Sequence, residues 1–473
     1  MLLRNFIIYL TPSILVMGLG AIVLIPVRTY YLDPIDVGTY ALIMAVLTPI
    51  GALSNLGSGW VMAGNYFSSD ENERRRMLST LVILDLSVGL ILTLLAFFFG
   101  IHLMDQFFDG FSDEWGVSFR MALIGSLLGL PVATVSYHMV MRKDSKNQAM
   151  LEIFPFIIGN VLTIVAFLIG MRLLALFLGV LVSGLVQGCM CVIYLRHHGE
   201  FRISSRWVRE SFKTGLPAVP VNLMMSFQTV LERYLLQRSL GLGALGVYSH
   251  SQTYREILRR AFKAFNKVFN PELLQSYENG TVPESLMKQY RTLLQISAIG
   301  GLLCIGLSEP LIDLLTHGKF IEAAKFVPAW YGIILCSLWV LPYLQFLLHA
   351  KQTRFVSKTT IGSTVLGMAV MWLLIPGLGS WGALLGMLSM ELFLLCFARR
   401  KALAMGCPDK LGLTAYYVCF AYGVIVCSDL YLDGNKLATG ILLGAGFFLW
   451  GYYFNFHQVL SELIQSRRPP SGQ

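Results

Sequence analysis

The chain has 473 residues, of which 55% are hydrophobic and 13% are charged, and its mean hydropathy is +0.65. A soluble domain carries about 25% charged residues, so this composition excludes a soluble globular protein and indicates a polytopic membrane protein. The formal net charge of +9 does not indicate nucleic acid, because the basic residues follow the loops between apolar segments.

Apolar runs of the length needed to cross the hydrocarbon, about 20 residues, recur along the chain. With the N-terminus in the cytoplasm, most of the 36 Lys and Arg residues lie in the cytoplasmic loops, which places both termini in the cytoplasm. Turns and charges predict fourteen spans, at 5–27, 37–62, 78–102, 117–140, 150–171, 173–195, 214–238, 244–268, 290–312, 325–350, 356–375, 381–398, 411–428 and 437–457.

The stretch that follows a basic segment at 196–213 resembles the start of the chain. Each copy has an early proline, an arginine late in its first span and a Gly-x-Tyr opening the next, namely Pro12, Arg28 and 38–40, then Pro217, Arg233 and 246–248. Six spans per copy is an even number, so a parallel repeat is expected, with a site between the halves. Chance similarity between apolar helices is the alternative.

The predicted fold class is therefore an all-α polytopic membrane protein with two six-helix lobes and two extra helices. The predicted divisions are an N-terminal lobe, a basic cytoplasmic connector, a C-terminal lobe, two additional spans and a cytoplasmic tail, at 1–195, 196–213, 214–400, 401–457 and 458–473.

The eighth predicted span carries four cations at intervals of four residues: Arg255, Arg259, Lys263 and Lys267. This spacing places them along one helix face. The two lysines are close enough to the cytoplasmic end to extend into the headgroups. The two arginines are deeper, where a charge costs about 2.5–3.5 kcal/mol and usually faces a cavity, so both are predicted to bind substrate.

Arg28 lies near the outer end of the first span, where two interpretations are open. It can extend to the membrane surface beside Tyr30 and Tyr31, or it can face the cavity. Arg233 occupies the matching place in the second copy, which favours the cavity for both, and both are predicted to bind substrate.

Three carboxylates fall inside predicted spans: Asp85, Glu232 and Glu391. A buried carboxylate can exchange protons and so couple transport to an ion gradient, although each can instead form an internal ion pair. The eight cysteines show no metal-ligand spacing and no disulfide pattern, and no P-loop or hydrolase motif is present. No cofactor, metal or catalytic residue is predicted, and secondary transport remains.

The stretch "RTYYLDPIDVGTYALI" (28–43), with the second turn "LGALGVYS" (242–249), resembles the bacterial polysaccharide exporters. These are Wzx-type flippases of the multidrug/oligosaccharidyl-lipid/polysaccharide exporter superfamily. The resemblance implies a two-lobed transporter of the cytoplasmic (inner) membrane that works by alternating access. Its cargo would be an oligosaccharide linked to undecaprenyl diphosphate, bound at its diphosphate by the arginines. A complete monomer is expected, with other polysaccharide-assembly proteins as possible partners.

Three other functions remain open on the sequence. A drug or cation exporter of the same superfamily would need acidic residues in its cavity, whereas the charges here are mainly basic. A polysaccharide polymerase or ligase would need a large external platform, and the longest external stretch, 102–118, is short for one. A scaffold for soluble glycosyltransferases would not need buried arginines.

Overall fold

The computed structural model describes residues 18–66, 69–107, 113–142, 144–200, 202–216, 219–278, 306–350 and 352–407. Within these ranges the chain forms helices and short connections without any β-strand, and eight segments are long and apolar enough to cross a membrane. The predicted all-α polytopic class is confirmed. The predicted spans at 411–428 and 437–457, the tail at 458–473 and most of the span at 290–312 lie outside the described residues.

The chain divides into two compact units, Met1–Ser249 and His250–Gln473. In the first, a π-helical turn, Gly20–Leu24, leads into nine α-helices: α1 Ile25–Tyr31, α2 Pro34–Ser54, α3 Ser58–Asn65, α4 Glu71–Phe107, α5 Asp113–Gly129, α6 Pro131–Met141, α7 Ser145–Leu168, α8 Leu173–His198 and α9 Ser205–Glu210. The next helix, α10, spans Val219–Glu278. In the second unit follow α11 at 306–316, α12 Val327–His349, α13 Thr353–Leu378 and α14 Ser380–Ala404.

Two predicted spans are broken helices. The span predicted at 37–62 is wrong as a continuous helix, because α2 ends at Ser54 and α3 begins at Ser58. Gly57 between them has φ 73°, a left-handed conformation that a glycine adopts without steric cost. The span predicted at 117–140 is interrupted where α6 begins at Pro131, since proline lacks the N–H that would continue the helix.

The predicted turn between the seventh and eighth spans lies at Gly241 within α10, with φ 82° and ψ 173°. Beyond it, the Tyr248 hydroxyl donates a hydrogen bond to Glu232, 16 residues earlier. In a straight helix these residues would be about 24 Å apart, so the chain reverses direction at Gly241. The returning arm packs against α2, because Gly246 approaches the carbonyl of Pro34 without an intervening side chain.

The predicted basic connector folds onto the first unit. Trp207 of α9 is 1% exposed and belongs to an apolar cluster with Val61, Met77 and Leu78. At the surface Arg206 pairs with Glu73. This burial means that the segment after α8 is part of the packed unit and is more than a linker.

Candidate functional site

A cavity of about 530 Å³ lies within the first unit. Among the described residues that line it, Arg28 is the one that carries a charge, and much of the remaining wall is amide, hydroxyl or glycine. The polar lining residues include Tyr40, Asn55, Ser126, Asn160, Ser183 and Gln187. A membrane protein that holds water or a polar ligand among its helices needs a cavity wall with polar groups, because unsatisfied polar groups are costly in hydrocarbon.

The guanidinium of Arg28 contacts this cavity. Its Nη2 donates a hydrogen bond to Oδ1 of Asn160 on α7 at 2.9 Å, and no acceptor in the described part of the chain bonds its buried Nε. Tyr31 stacks on Phe167 with ring centroids 5.2 Å apart, whereas Tyr30 is 66% exposed. Arg28 therefore lines the cavity with its guanidinium held by Asn160, and Tyr30 is the residue positioned as a surface aromatic. The predicted substrate contact of Arg28 stays a prediction.

Arg233 and Glu232 lie on the first arm of α10, the part before Gly241, and both contact neighbouring parts of the first unit. Nη1 of Arg233 donates to the backbone carbonyl of Ala41 in α2. Glu232 is 1% exposed and accepts the hydrogen bond from Tyr248. These contacts join α2 to the hairpin around Gly241, so both side chains have evident packing roles. The predicted substrate contact of Arg233 and ion coupling by Glu232 stay predictions.

In the second unit, Arg255 lies over the ring of Trp330, with its guanidinium carbon 4.5 Å from the ring centroid. The indole N–H of Trp330 donates to Ser251 Oγ at 2.9 Å, which fixes the ring. Nη2 of Arg255 is 3.2 Å from Glu256 Oε1. A cation over an aromatic face gains about 0.5–2 kcal/mol depending on burial, so the guanidinium of Arg255 is held in place.

Glu256 pairs with both predicted arginines, because its Oε1 is also 3.3 Å from Arg259 Nη1. Glu391 accepts a hydrogen bond from Ser337 Oγ at 2.6 Å, and the charges of Arg255 and Arg259 both act on it. Two cations and two carboxylates thus share this region, which is less basic than the spacing of the cations along the sequence predicts. The side chains of the two predicted lysines, Lys263 and Lys267, lie outside the described residues.

Asp85 occupies the break between α2 and α3. It is 1% exposed and accepts hydrogen bonds from Ser58 Oγ at 2.7 Å, from Thr134 Oγ1 at 2.6 Å and from the backbone of Leu56. Within the described part of the chain, Asp85 forms no ion pair. The hydrogen bonds to the interrupted backbone give Asp85 a structural role, and its predicted role in ion coupling stays a prediction.

No pattern in the sequence indicates the partner of Arg28. Asn160 is an isolated amide in the apolar stretch 150–171, and its relation to Arg28, 132 positions earlier, depends on how α1 packs against α7. The break between α2 and α3, to which Asp85 bonds, has a local signal in the sequence "SNLGSG" (54–59). Small and turn-forming residues replace apolar ones there.

Comparisons with known proteins identify a family for this chain and solved structures that share its fold. A family model described as "Polysaccharide biosynthesis protein" matches residues 2–274, and no curated protein sequence matches the chain. The solved structure of an inward-facing multidrug resistance MATE family transporter of the MOP superfamily is 14% identical with TM-score 0.63, covering 85% of this chain and 99% of its own. Lipid II flippase MurJ in an inward closed conformation is 13% identical with TM-score 0.66, covering 97% of this chain and 100% of its own. At these identities the structures show the fold alone.

Proposed function

This chain belongs to the polysaccharide biosynthesis protein family, and from this premise we propose that it is a flippase for lipid-linked oligosaccharides. It would move an undecaprenyl-diphosphate-linked oligosaccharide from the inner to the outer leaflet of the bacterial cytoplasmic membrane. Alternating access would carry the cargo across, for assembly of a surface polysaccharide such as O-antigen, capsule or exopolysaccharide. The protein is a multi-pass membrane protein, and we propose that both of its termini are cytoplasmic.

The observation that carries the proposal is the cavity that Arg28 lines in the first unit. A diphosphate is an anion that cannot cross lipid alone, and a guanidinium binds phosphate oxygens through paired hydrogen bonds. The amide and hydroxyl groups of the remaining wall, among them Asn55, Ser126 and Gln187, suit the hydroxyl groups of sugars. We therefore assign the diphosphate to Arg28 and the sugars nearest to it to the polar wall.

A second anion-binding position is proposed in the second unit, at Arg255 and Arg259. Trp330 holds the Arg255 guanidinium, and a single carboxylate, Glu256, is shared by both arginines. An incoming phosphate can replace that carboxylate as the partner of either guanidinium. Such an exchange keeps a partner for Arg255, the least exposed of the three side chains, while the ligand enters or leaves.

Ion coupling is assigned to Glu391 as part of the proposal. The charges of Arg255 and Arg259 act on its carboxylate, so its protonation changes the electrostatic potential at the proposed anion position. Asp85 and Glu232 are less suited to this role, because Asp85 binds the residues between α2 and α3 and Glu232 joins the two arms of α10 through Tyr248.

A drug or cation exporter is the alternative that the MATE structures raise, since they share the fold. The charge in the cavity of the first unit opposes it, because a cationic drug would meet Arg28 without a carboxylate among the described lining residues. A polymerase or ligase is the second alternative, and an enzyme would be revealed by a change of covalent structure in its lipid-linked substrate. Partners among polysaccharide-assembly proteins are also part of the proposal.

The binding step can be tested with purified protein and an undecaprenyl-diphosphate-linked oligosaccharide. Loss of a charge-assisted hydrogen bond removes about 1.5–3 kcal/mol, so Arg28→Gln is expected to weaken binding by about 10- to 100-fold. Arg28→Lys keeps the charge without the paired donors and should lie between Arg28→Gln and wild type. Arg238→Gln is the matched control, because this exposed arginine donates to Tyr234 and does not line the cavity. Equal affinity for wild type and Arg28→Gln would exclude the assigned contact.

A further inference from the structure

A second concave surface of the first unit lies on its exposed exterior. It is a groove of about 410 Å³ between α7 and α8, on the part of the unit where those helices are exposed. Phe154 is 47% exposed and Ile193 is 58% exposed, and both line it. The other apolar walls come from Met150, Ile158, Val186 and Met190. Such a surface accepts a hydrocarbon chain.

The groove has the depth of one leaflet. Along α7 its lining runs from Asn147 to Ile158, which at 1.5 Å per residue is about 16 Å. One leaflet of a bilayer with a hydrocarbon core of about 30 Å contributes about 15 Å. The polar end lies where α7 begins and α8 ends, and this end is cytoplasmic in the proposed topology. The groove therefore matches a chain of the inner leaflet.

The polar end carries donors for a phosphate. Arg142 Nη1 lies 3.0 Å from Nδ1 of His198, and because arginine can only donate, that Nδ1 accepts and the His198 Nε2 carries the hydrogen. His197 is exposed beside it and lines the groove. Arg142 has a side chain that is 39% exposed, so its remaining N–H groups can reach a ligand at the groove mouth.

The side chains at this end carry an excess of positive charge. Glu71 is shared by three guanidiniums, at 3.3 Å from Arg142 and 3.9 Å each from Arg74 and Arg75. Asp144 accepts both the N–H and the side-chain amide of Asn147, at 3.3 and 2.7 Å, and so caps α7. Three cations against these two carboxylates leave an excess of positive charge in this cluster, which suits an anionic phosphodiester.

We propose that this groove binds an anionic glycerophospholipid of the inner leaflet, with one acyl chain between α7 and α8 and its phosphodiester at Arg142 and His198. The site is separate from the cavity that Arg28 lines. On α7, Ile158 faces the groove and Asn160 faces the cavity, and two residues of an α-helix are about 200° apart around its axis. The lipid would bind as a resident component of the unit, and the site depends on the proposed function only for the topology.

The test is native mass spectrometry of the full-length protein in detergent, with phosphatidylglycerol and phosphatidylethanolamine as separate probes. Wild type is expected to retain one phosphatidylglycerol about tenfold more tightly than phosphatidylethanolamine, because both lipids carry the phosphodiester but the ammonium of phosphatidylethanolamine is repelled by the excess positive charge at the groove mouth. Ile193→Trp fills the groove and should abolish this preference, whereas Val192→Trp, at an exposed neighbour outside the groove, should not. Arg142→Gln should reduce retention about tenfold, with Arg202→Gln as its surface control.

Two results would overturn the proposal. Equal retention of both lipids by wild type, a comparison that needs no variant, would exclude selection of an anionic headgroup. The second result is that an equimolar amount of undecaprenyl diphosphate displaces phosphatidylglycerol from wild type, and that Ile193→Trp binds neither lipid. This result would assign the groove to the transported lipid instead. Neither measurement follows transport, so failure of the lipid site and failure of the flippase proposal are distinguished.

Discussion

The packing of the α10 hairpin on α2 gives a sharp prediction for Gly246→Ala. A Cβ at this position would stand 1.7 Å from the carbonyl oxygen of Pro34 and 3.0 Å from the backbone nitrogen of Gly38. Real Cβ contacts are at least 3.0 Å, and both neighbouring atoms are backbone, so no side-chain rotation relieves the overlap. The two helices must separate by more than an ångström.

The expected cost follows from two opposing terms. Overpacking a tight contact costs about 1–3 kcal/mol, and a rigid backbone obstacle places this site at the upper end. Replacing glycine by alanine inside a helix returns about 1 kcal/mol, so Gly246→Ala should lower the free energy of unfolding by about 1–2 kcal/mol. Gly243→Ala is the matched control on the same arm, because its Cβ would meet only Ile35 Cγ1 at 3.9 Å. It should be neutral or slightly stabilising.

Thermal unfolding of both variants in detergent, followed by intrinsic tryptophan fluorescence, measures the difference. Gly246→Ala is expected to melt several degrees below wild type, and Gly243→Ala at or above it. A melting temperature for Gly246→Ala equal to that of Gly243→Ala would refute the close approach of α10 to α2. The contact of Arg233 with Ala41 would then need a different explanation too, since it depends on the same packing.

Three further predictions concern carboxylates. Asp85→Ala leaves two hydroxyl donors and a backbone N–H without their acceptor, at a cost of about 1–3 kcal/mol for each buried group. This variant should melt well below Asp85→Asn, which keeps an acceptor oxygen, and equal melting temperatures would contradict the assigned hydrogen bonds. The hydrogen bond from Arg76 holds the pKa of Glu200 below its ordinary 4.5. The contribution of this carboxylate to stability is therefore present above pH 4.5 and is lost as the pH falls through the lower folded-state pKa. The melting temperatures of wild type and Glu200→Gln should converge under acid. Transport by Glu391→Gln should lose its response to an imposed pH gradient, and an unchanged response would remove Glu391 from ion coupling.

Much of the fold follows from the sequence alone. Length, hydropathy and the positions of basic residues indicate a polytopic helical protein, and the predicted span ends at 238 and 244 bracket the turn at Gly241. The break at 55–57 is harder to see, because apolar residues continue on both sides of it and dominate any average of hydropathy. The break is stabilised by a tertiary contact, because Asp85 on α4 accepts hydrogen bonds from the backbone of Leu56 and the side chain of Ser58.

The candidate site follows from the sequence only in part. The charge of Arg28 in an apolar segment predicts a special environment, but the direction of its side chain depends on Asn160 across the bundle. The repeat places Arg233 in the same role, whereas its described contact is with the Ala41 carbonyl, which no pattern of charges could indicate. Repeated Gly-x-Tyr motifs have a physical reason that the sequence does not show, because Gly38 and Gly246 are the points where α2 and the returning arm of α10 meet.

The most direct test of the central claim asks on which leaflet lipid-linked oligosaccharide accumulates when the gene is deleted in its host. Spheroplasts treated with a membrane-impermeant glycosidase report the external fraction. We expect the oligosaccharide to be trapped on the cytoplasmic leaflet, and to reach the outer leaflet when wild type or Arg238→Gln is supplied, but not when Arg28→Gln is supplied at equal abundance. Oligosaccharide that reaches the outer leaflet normally in the deletion strain, yet remains unpolymerised, would contradict a flippase and favour an enzyme of polysaccharide assembly.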